Sequence, residues 1–273
     1  MSKENGPLVS VVMATFNEPK KFIEESISSI LNQTYQNLEL IIADDSTSEE
    51  TIKVIDNYAA KDDRVLVIRK PERMGFVHAL NEALNQSRGE FIARMDADDI
   101  AHHDRIEKQV SFFSNNERID ILGGAMNIIN DNDEITAIRH YPSGGFKLLE
   151  WTILRNPIGH PTAMYRSSIV KRGFTYDEQM SKGCEDLEFW LRLRRLGYRL
   201  NNLQDVLINY RICEDMMNKR KRDIKQNFKA RWKNISLRYF FYDMASLLFL
   251  SFRYVSPNKF ISWYYSKENK QKY

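Results

Sequence analysis

Three short polar segments and one acidic pair hold the groups in this sequence best suited to chemistry. Asp96-Ala97-Asp98-Asp99 sets two carboxylates two residues apart, and along an extended run that spacing points both to one side. Hard oxygen ligands so arranged suit Mg²⁺ or Mn²⁺ held together with substrate phosphates, because Mg²⁺ seldom takes an all-protein cage. Asp44-Asp45-Ser46 and Thr15-Phe16-Asn17-Glu18 are the other two segments. Asp, Asn and Ser also cap helices, and Ser46 and Thr47 are placed to do that. Five aspartates at one edge would nevertheless repel one another unless a cation or ligand offsets them, which favours a binding site. Glu185-Asp186 opens an amphipathic stretch. There the pair is either ordinary helix-start chemistry or a general base, since a helix N-terminus stabilises an ionised carboxylate aimed at an acceptor hydroxyl.

These groups need elements to hold them. Leu8–Ala14, Leu38–Ala43, Arg64–Ile68 and Glu90–Met95 read as strands. Helical patterns separate them, with Phe22, Ile23, Ile27 and Ile30, then Ile52, Ile55 and Tyr58, then Phe76, Leu80 and Leu84 on one face each. Strands alternating with helices of this length predict a mostly parallel sheet covered on both faces. In such sheets ligands gather at the carboxyl ends of the strands, where all three polar segments fall. The second half is less regular: Ile119–Gly124, Thr162–Tyr165 and Val206–Tyr210 read as strands, Gly144-Gly145 as a turn, and Glu185–Leu196 as a helix ended by Gly197.

The 273 residues, 42% hydrophobic and 12% aromatic, suffice for one large α/β domain with an appendage. Cys184 and Cys213 are too few for a disulfide framework or a four-cysteine zinc site and fit a reducing compartment. No secretory signal peptide is expected from the polar Met1–Pro7 and the strand-like run after it. The net charge of +3 does not mark a nucleic-acid binder.

Motifs in series give a more specific expectation. VSVVMATFNE, LELIIADDSTSEET, GFVHALNEALNQSRGEFIARMDADD, NPIGHPTAMYR, CEDLEFWLRL and INYRI together resemble the family-2 inverting glycosyltransferases of the GT-A fold, from Leu8 to about Arg211. The resemblance implies that Thr15, Asn17 and Glu18 embrace the nucleoside of a nucleotide sugar and that Asp44 accepts from a uracil ring. Gly75 to Asn81 would lie near the ribose and diphosphate. Asp96 would be the ribose-side acid and a metal ligand, Asp98 the ligand bridging metal to diphosphate, and Asp186 the catalytic base. His160, in a His-Pro-Thr segment, would precede the acceptor region. The family often closes with Tyr-Arg-any-His, whereas here the order is Tyr210-Arg211-Ile212-Cys213, which makes Arg211 the better expectation for a phosphate contact. Processive synthases of the family carry Gln-any-any-Arg-Trp and membrane spans. Gln226 and Arg231-Trp232 have the wrong spacing, so a non-processive enzyme is expected.

Residues 1–215 thus read as the catalytic domain and 216–273 as a basic, aromatic-rich helical region. Lys219, Arg220, Lys221 and Arg222 open that region, and Ile235–Val255 is aromatic and aliphatic but interrupted by charge. Its longest charge-free run, Met244–Phe252, is half a bilayer span. Basic residues interleaved with aromatics suit a surface helix on an anionic leaflet, and a packing cap is the alternative. The expected enzyme is a peripheral protein on the cytoplasmic face of the bacterial inner membrane. It would move one hexose or N-acetylhexosamine to a lipid-linked oligosaccharide of O-antigen or capsule assembly, with Mn²⁺ or Mg²⁺. A sugar nucleotidyltransferase would need a Gly-rich phosphate loop where Thr15-Phe16-Asn17-Glu18-Pro19 stands. A phospho-receiver domain would place its acidic pair after the first strand and not the second.

Overall fold

The computed structural model describes residues 6–212 and 223–255. β1 (Val9–Thr15) and β2 (Leu38–Asp44) are buried along their whole length, as continuous aliphatic runs at the centre of a parallel sheet must be. They are followed by α1 (Lys20–Leu31) and α2 (Glu49–Ala59), and then by β3 (Val65–Ile68), α3 (Phe76–Gln86) and β4 (Phe91–Asp96). Beyond these the chain forms β5 (Ile100–Ala101), α4 (Arg105–Asn115), β6 (Ile121–Ile129), β7 (Ile135–Arg139), α5 (Gly145–Leu154), β8 (Met164–Arg166), α6 (Ser168–Lys171), α7 (Glu185–Arg195) and β9 (Leu200–Arg211). Two further helices, α8 (Asp223–Lys233) and α9 (Phe240–Val255), complete the described chain.

The strands form one sheet of order β3-β2-β1-β4-β8-β6-β9-β5, with β7 added on β6. β1, β2, β3 and β4 are mutually parallel. β8 is antiparallel to both β4 and β6, and β9 is parallel to β6. β6 and β9 therefore run with the first four, and Thr15, Asp44, Asp96 and Arg211 all end strands at one edge. Val11 and Met13 pack with α1, α2 and α4 on one face; Val12 and Ala14 pack with α3, α6 and α7 on the other. The sheet is covered on both sides, as the alternation predicts.

Three features depart from the sequence pattern. Gly144-Gly145 is no simple turn: Gly144 caps α5 and its N–H donates to Asn201 Oδ1 at 2.7 Å. α4 escaped notice because its inward face mixes Ile106, Val110 and Phe113 with buried Arg105 and Gln109, which blurs the apolar period. β7 is exposed along almost its whole length and has no inside-outside alternation to read.

The C-terminal helices dock on the catalytic domain. Ala230 of α8 packs against Met180, Leu187 and Leu191. The buried Arg231 guanidinium donates to Thr152 O at 2.5 Å and Asn227 Oδ1 at 2.7 Å, so Arg231 serves this docking. α9 turns Asp243, Ser246, Leu247 and Leu250 inward; Asp243 pairs with Arg194, and Ser246 Oγ donates to Ile153 O at 2.7 Å. Cys213 and Lys219–Arg222 lie outside the described residues. Among the described residues no single helix is long and apolar enough to cross a membrane.

Candidate active site

Period-2 alternation along β4 sends Phe91, Ala93 and Met95 to the α1/α4 face and leaves Ile92, Arg94 and Asp96 on the other. Past the strand end the chain turns so that Asp96, Asp98 and Asp99 each bring one carboxylate oxygen within 4.8 Å of the others. Burial, and then Asp96, pushes the Asp98 carboxyl up to about 6. Asp99 is raised well above the ordinary carboxylate range by burial and by both neighbours. Its Oδ1 accepts from the Arg211 N–H at 2.8 Å, while the buried Oδ2 has no hydrogen-bond partner. Three crowded hard oxygens, one of them orphaned, fit Mg²⁺ or Mn²⁺.

Arg94 is the fixed cation beside this cluster. It is fully buried, forms an ion pair with Asp96, and lies 5.6 Å from the Phe76 ring centroid. It also attracts Glu185 and Asp186 at the start of α7, so the aspartate cluster and the acidic pair share one electrostatic environment.

Asp186 is held firmly. Its Oδ1 accepts from the Leu187 N–H at 2.7 Å, and its Oδ2 from Asn156 Nδ2. The chain enters α7 through Cys184 in the left-handed region, φ 64°, which sets the direction of the first turn. Burial raises Asp186, while Leu187, Arg94 and Asn156 oppose that rise. Glu185 is pushed up to about 8 by burial and then by Asp186. His160, buried and 2.8 Å from the Tyr176 hydroxyl, is held well below its ordinary value by burial and by Arg94. It therefore stays neutral and packs edge-on against Tyr176 and Trp190.

At the ends of β1 and β2, Thr15 is buried with its Oγ1 unpartnered. Asn17 adopts φ 57° and stitches the first two strand ends: its Oδ1 accepts from the Thr47 and Ser48 N–H groups at 2.8 Å each, and its own N–H donates to Ser46 Oγ at 3.0 Å. Ser48, and not Ser46 or Thr47, supplies the side-chain cap of α2. Glu18 follows at the loop's end, its carbonyl accepting from Thr51 Oγ1 at 3.0 Å. Asp45 takes the Met74 and Gly75 N–H groups at 2.9 and 2.6 Å. That contact fixes Gly75 at φ 77°, a conformation that favours glycine.

Several expected contacts are revised. Arg211 does not present its guanidinium to a phosphate: wholly buried, it donates to Asp98 O at 2.9 Å, Asn130 O at 3.1 Å, Asp133 Oδ1 at 2.6 Å and Glu25 Oε2 at 3.0 Å. It braces the turn that carries Asp98. Asn81 bonds the Tyr176 backbone, donating at 3.0 Å and accepting at 2.9 Å, and so anchors α3. Asp44 sits at its strand end with its side chain buried; Arg69 Nε at 2.7 Å and the Ser46 N–H at 2.9 Å share its oxygens. Arg94 and Asn156 went unread in the sequence. The available signal for Arg94 was a charge at an inward-facing strand position; for Asn156 it was its place at the head of the NPIGHPTAMYR segment.

Residues 10–174 match the model of Glycosyl transferase family 2. An uncharacterized glycosyltransferase of Methanocaldococcus jannaschii is 33% identical over 261 residues, 89% of each chain. The O-antigen biosynthesis glycosyltransferase WbnJ of Escherichia coli is 33% identical over 209 residues, 75% of this chain and 80% of WbnJ. The crystal structure of S. aureus TarS 1–349 in complex with UDP-GlcNAc has the same fold, at TM-score 0.67 and 20% identity over 90% of this chain and 72% of that one. A GT-A sheet with aspartates at its strand ends, and a family match over most of that sheet, lead to one assignment: this chain belongs to glycosyl transferase family 2.

Proposed function

We propose that the protein is an inverting, non-processive glycosyltransferase that moves one hexose or N-acetylhexosamine from a UDP-sugar to a hydroxyl of a lipid-linked glycan. The observation that carries this reading is the Asp96–Asp98–Asp99 cluster at the end of β4, with Arg94 paired to Asp96, together with Asp186 held by Asn156 at the start of α7. The S. aureus structure of like fold holds UDP-GlcNAc, which supports a uridine donor. WbnJ is named for O-antigen biosynthesis, which supports a surface-polysaccharide acceptor.

In the proposed reaction the acceptor hydroxyl attacks the anomeric carbon as the bond to the UDP oxygen breaks, and configuration inverts. Asp186 receives the hydroxyl proton. Glu185, pushed up to about 8 by burial and then by Asp186, holds its proton more tightly than an ordinary carboxyl, and Asp186 is the member of the pair oriented by Asn156 and the Leu187 N–H. A base so placed contributes about 10²–10⁴-fold. Asp96 and Asp98 would hold Mg²⁺ or Mn²⁺, which when bound supplies positive charge against the leaving diphosphate. Arg211 fixes the Asp98 main chain.

Calorimetry with UDP, with and without Mn²⁺, tests the donor half of this proposal. Mn²⁺-dependent UDP binding that weakens at least tenfold in Asp98→Asn and Asp96→Asn is expected. Affinity unchanged in both variants would reduce the cluster to helix-cap chemistry, and preference for GDP- or dTDP-sugars would reject the uridine donor.

A further inference from the structure

α9 presents two faces of opposite use. Asp243, Ser246, Leu247 and Leu250, at i, i+3, i+4 and i+7, are buried against α5 and α7. The opposite face follows the spacing 241, 245, 248, 252 and carries no charge. Phe241 is 85% exposed, Leu248 67% and Phe252 58%; Leu237, one turn earlier, is 96% exposed. A docked helix whose outer face meets only water carries polar residues there. This one carries a continuous apolar stripe, to which Phe146 of α5 adds an exposed ring beside Tyr242, 5.9 Å between centroids.

The segment that carries the stripe is mainly cationic. Between Ile224 and Phe252 Lys225, Lys229, Lys233 and Arg238 are exposed, Lys233 in an ion pair with Asp177, whereas the one acid of that stretch, Asp243, is buried in its pair with Arg194. We propose that this face is a docking surface for an anionic lipid bilayer, with Leu237, Phe241 and Leu248 entering the boundary between headgroups and acyl chains. α9 lies in the membrane plane: its 16 residues rise about 24 Å at 1.5 Å each, short of a span. The apolar stripe supplies insertion and the cations supply attraction to the leaflet.

The orientation bears on the reaction. Ser246 Oγ of α9 holds the Ile153 carbonyl, and three residues further Asn156 holds Asp186. The docking helix is thus tied to the base and acceptor side of the site, not to the donor loops of β1 and β2. The inference deepens the proposed lipid-linked acceptor and rests on that reading only for its purpose.

The test uses the full chain with phosphatidylcholine vesicles, with and without phosphatidylglycerol, at low and high salt. The parent is expected to co-sediment with the anionic vesicles. The double variant Phe241→Ser/Leu248→Ser is expected to lose about tenfold or more of that binding, with unchanged thermal unfolding because both side chains are exposed. Mn²⁺-dependent UDP-sugar hydrolysis should be the same in parent and variant. No binding by the parent to either vesicle, or equal binding by the variant, overturns the proposal. So does light scattering that finds a dimeric parent and a monomeric variant, which would assign the stripe to a second copy. Hydrolysis absent from both proteins, with vesicle binding as expected, would remove the donor reading and leave the docking surface standing.

Discussion

Arg94 and Asp96 stand two residues apart on the same side of β4 and form an ion pair where the strand meets the aspartate cluster. Arg94 is 1% exposed, yet the Asp96 side chain keeps 23% of its surface. The pair therefore joins a sealed cation to an acid that a ligand can reach. Without the guanidinium, Asp96 would lose its ion-pair partner beside Asp98 and Asp99, leaving the cluster to the weaker influence of Arg105 and Arg211.

That arrangement gives a first prediction. Arg94→Gln should lower the stability of the metal-free protein by about 1–3 kcal/mol, since it leaves crowded carboxylates less compensated. Added Mn²⁺ should raise the melting temperature of the variant more than that of the parent, because the ion replaces the missing charge. Arg94→Lys should lie between the two. Equal melting temperatures for parent and Arg94→Gln without metal would show that the pair has no electrostatic role.

Separation of binding from chemistry is expected at Asp186. Asp186→Asn preserves shape but cannot take a proton at neutral pH, so UDP affinity should persist while transfer falls about 10²–10⁴-fold. Asn156→Ala removes the amide that orients Oδ2. It should lower kcat with little change in the donor KM, as a positioning residue does. Full turnover in Asp186→Asn would move the base to Glu185.

Much of this site was legible because strand ends are legible. Aliphatic runs fix β1, β2 and β4, and their common direction delivers Thr15, Asp44 and Asp96 to one edge, so the placement of these three needs no tertiary knowledge. What those residues do there depends on partners distant in sequence. Arg211 meets Glu25, Asp98, Asn130 and Asp133, and Asn81 meets Tyr176, 95 positions away; local pattern encodes neither. Motif position alone made phosphate and ribose contacts of two side chains whose hydrogen bonds the protein already uses. α9 shows the opposite limit: its apolar content was plain, but which half of it packs inward follows only from where Asp243 and Ser246 find α7 and α5.

Stability should depend on pH through Glu185. Its folded value of about 8 lies above the ordinary 4.5, so the folded state holds this proton more tightly than the unfolded state. The resulting stabilisation is fully present below about pH 4.5 and is lost as pH rises through about 8. Glu185→Gln stays neutral throughout. Its melting temperature relative to the parent should therefore rise between pH 5 and pH 8.5, by the equivalent of about 1–3 kcal/mol. A constant difference across that range would mean that Glu185 titrates normally.

Arg211 allows the brace and the phosphate contact to be told apart. Its guanidinium is sealed, lies 4.0 Å from the Phe22 ring centroid, and is divided among the Asp98 carbonyl, the Asn130 carbonyl, Asp133 and Glu25. Arg211→Met should cost about 3 kcal/mol, the low end for breaking a buried pair because Asp133 and Glu25 keep some contact with water. Denaturant unfolding without UDP or metal measures that loss. The variant should also bind UDP less well at limiting Mn²⁺, since the Asp98 turn loses its support. Saturating Mn²⁺ should restore most of the affinity by holding the turn from the other side. A phosphate contact would give the reverse pattern: little loss of stability, and a deficit in UDP affinity that persists at every Mn²⁺ concentration. Calorimetry at two Mn²⁺ concentrations, below the unfolding transition of the variant, decides between them, and the geometry of Arg211 predicts recovery.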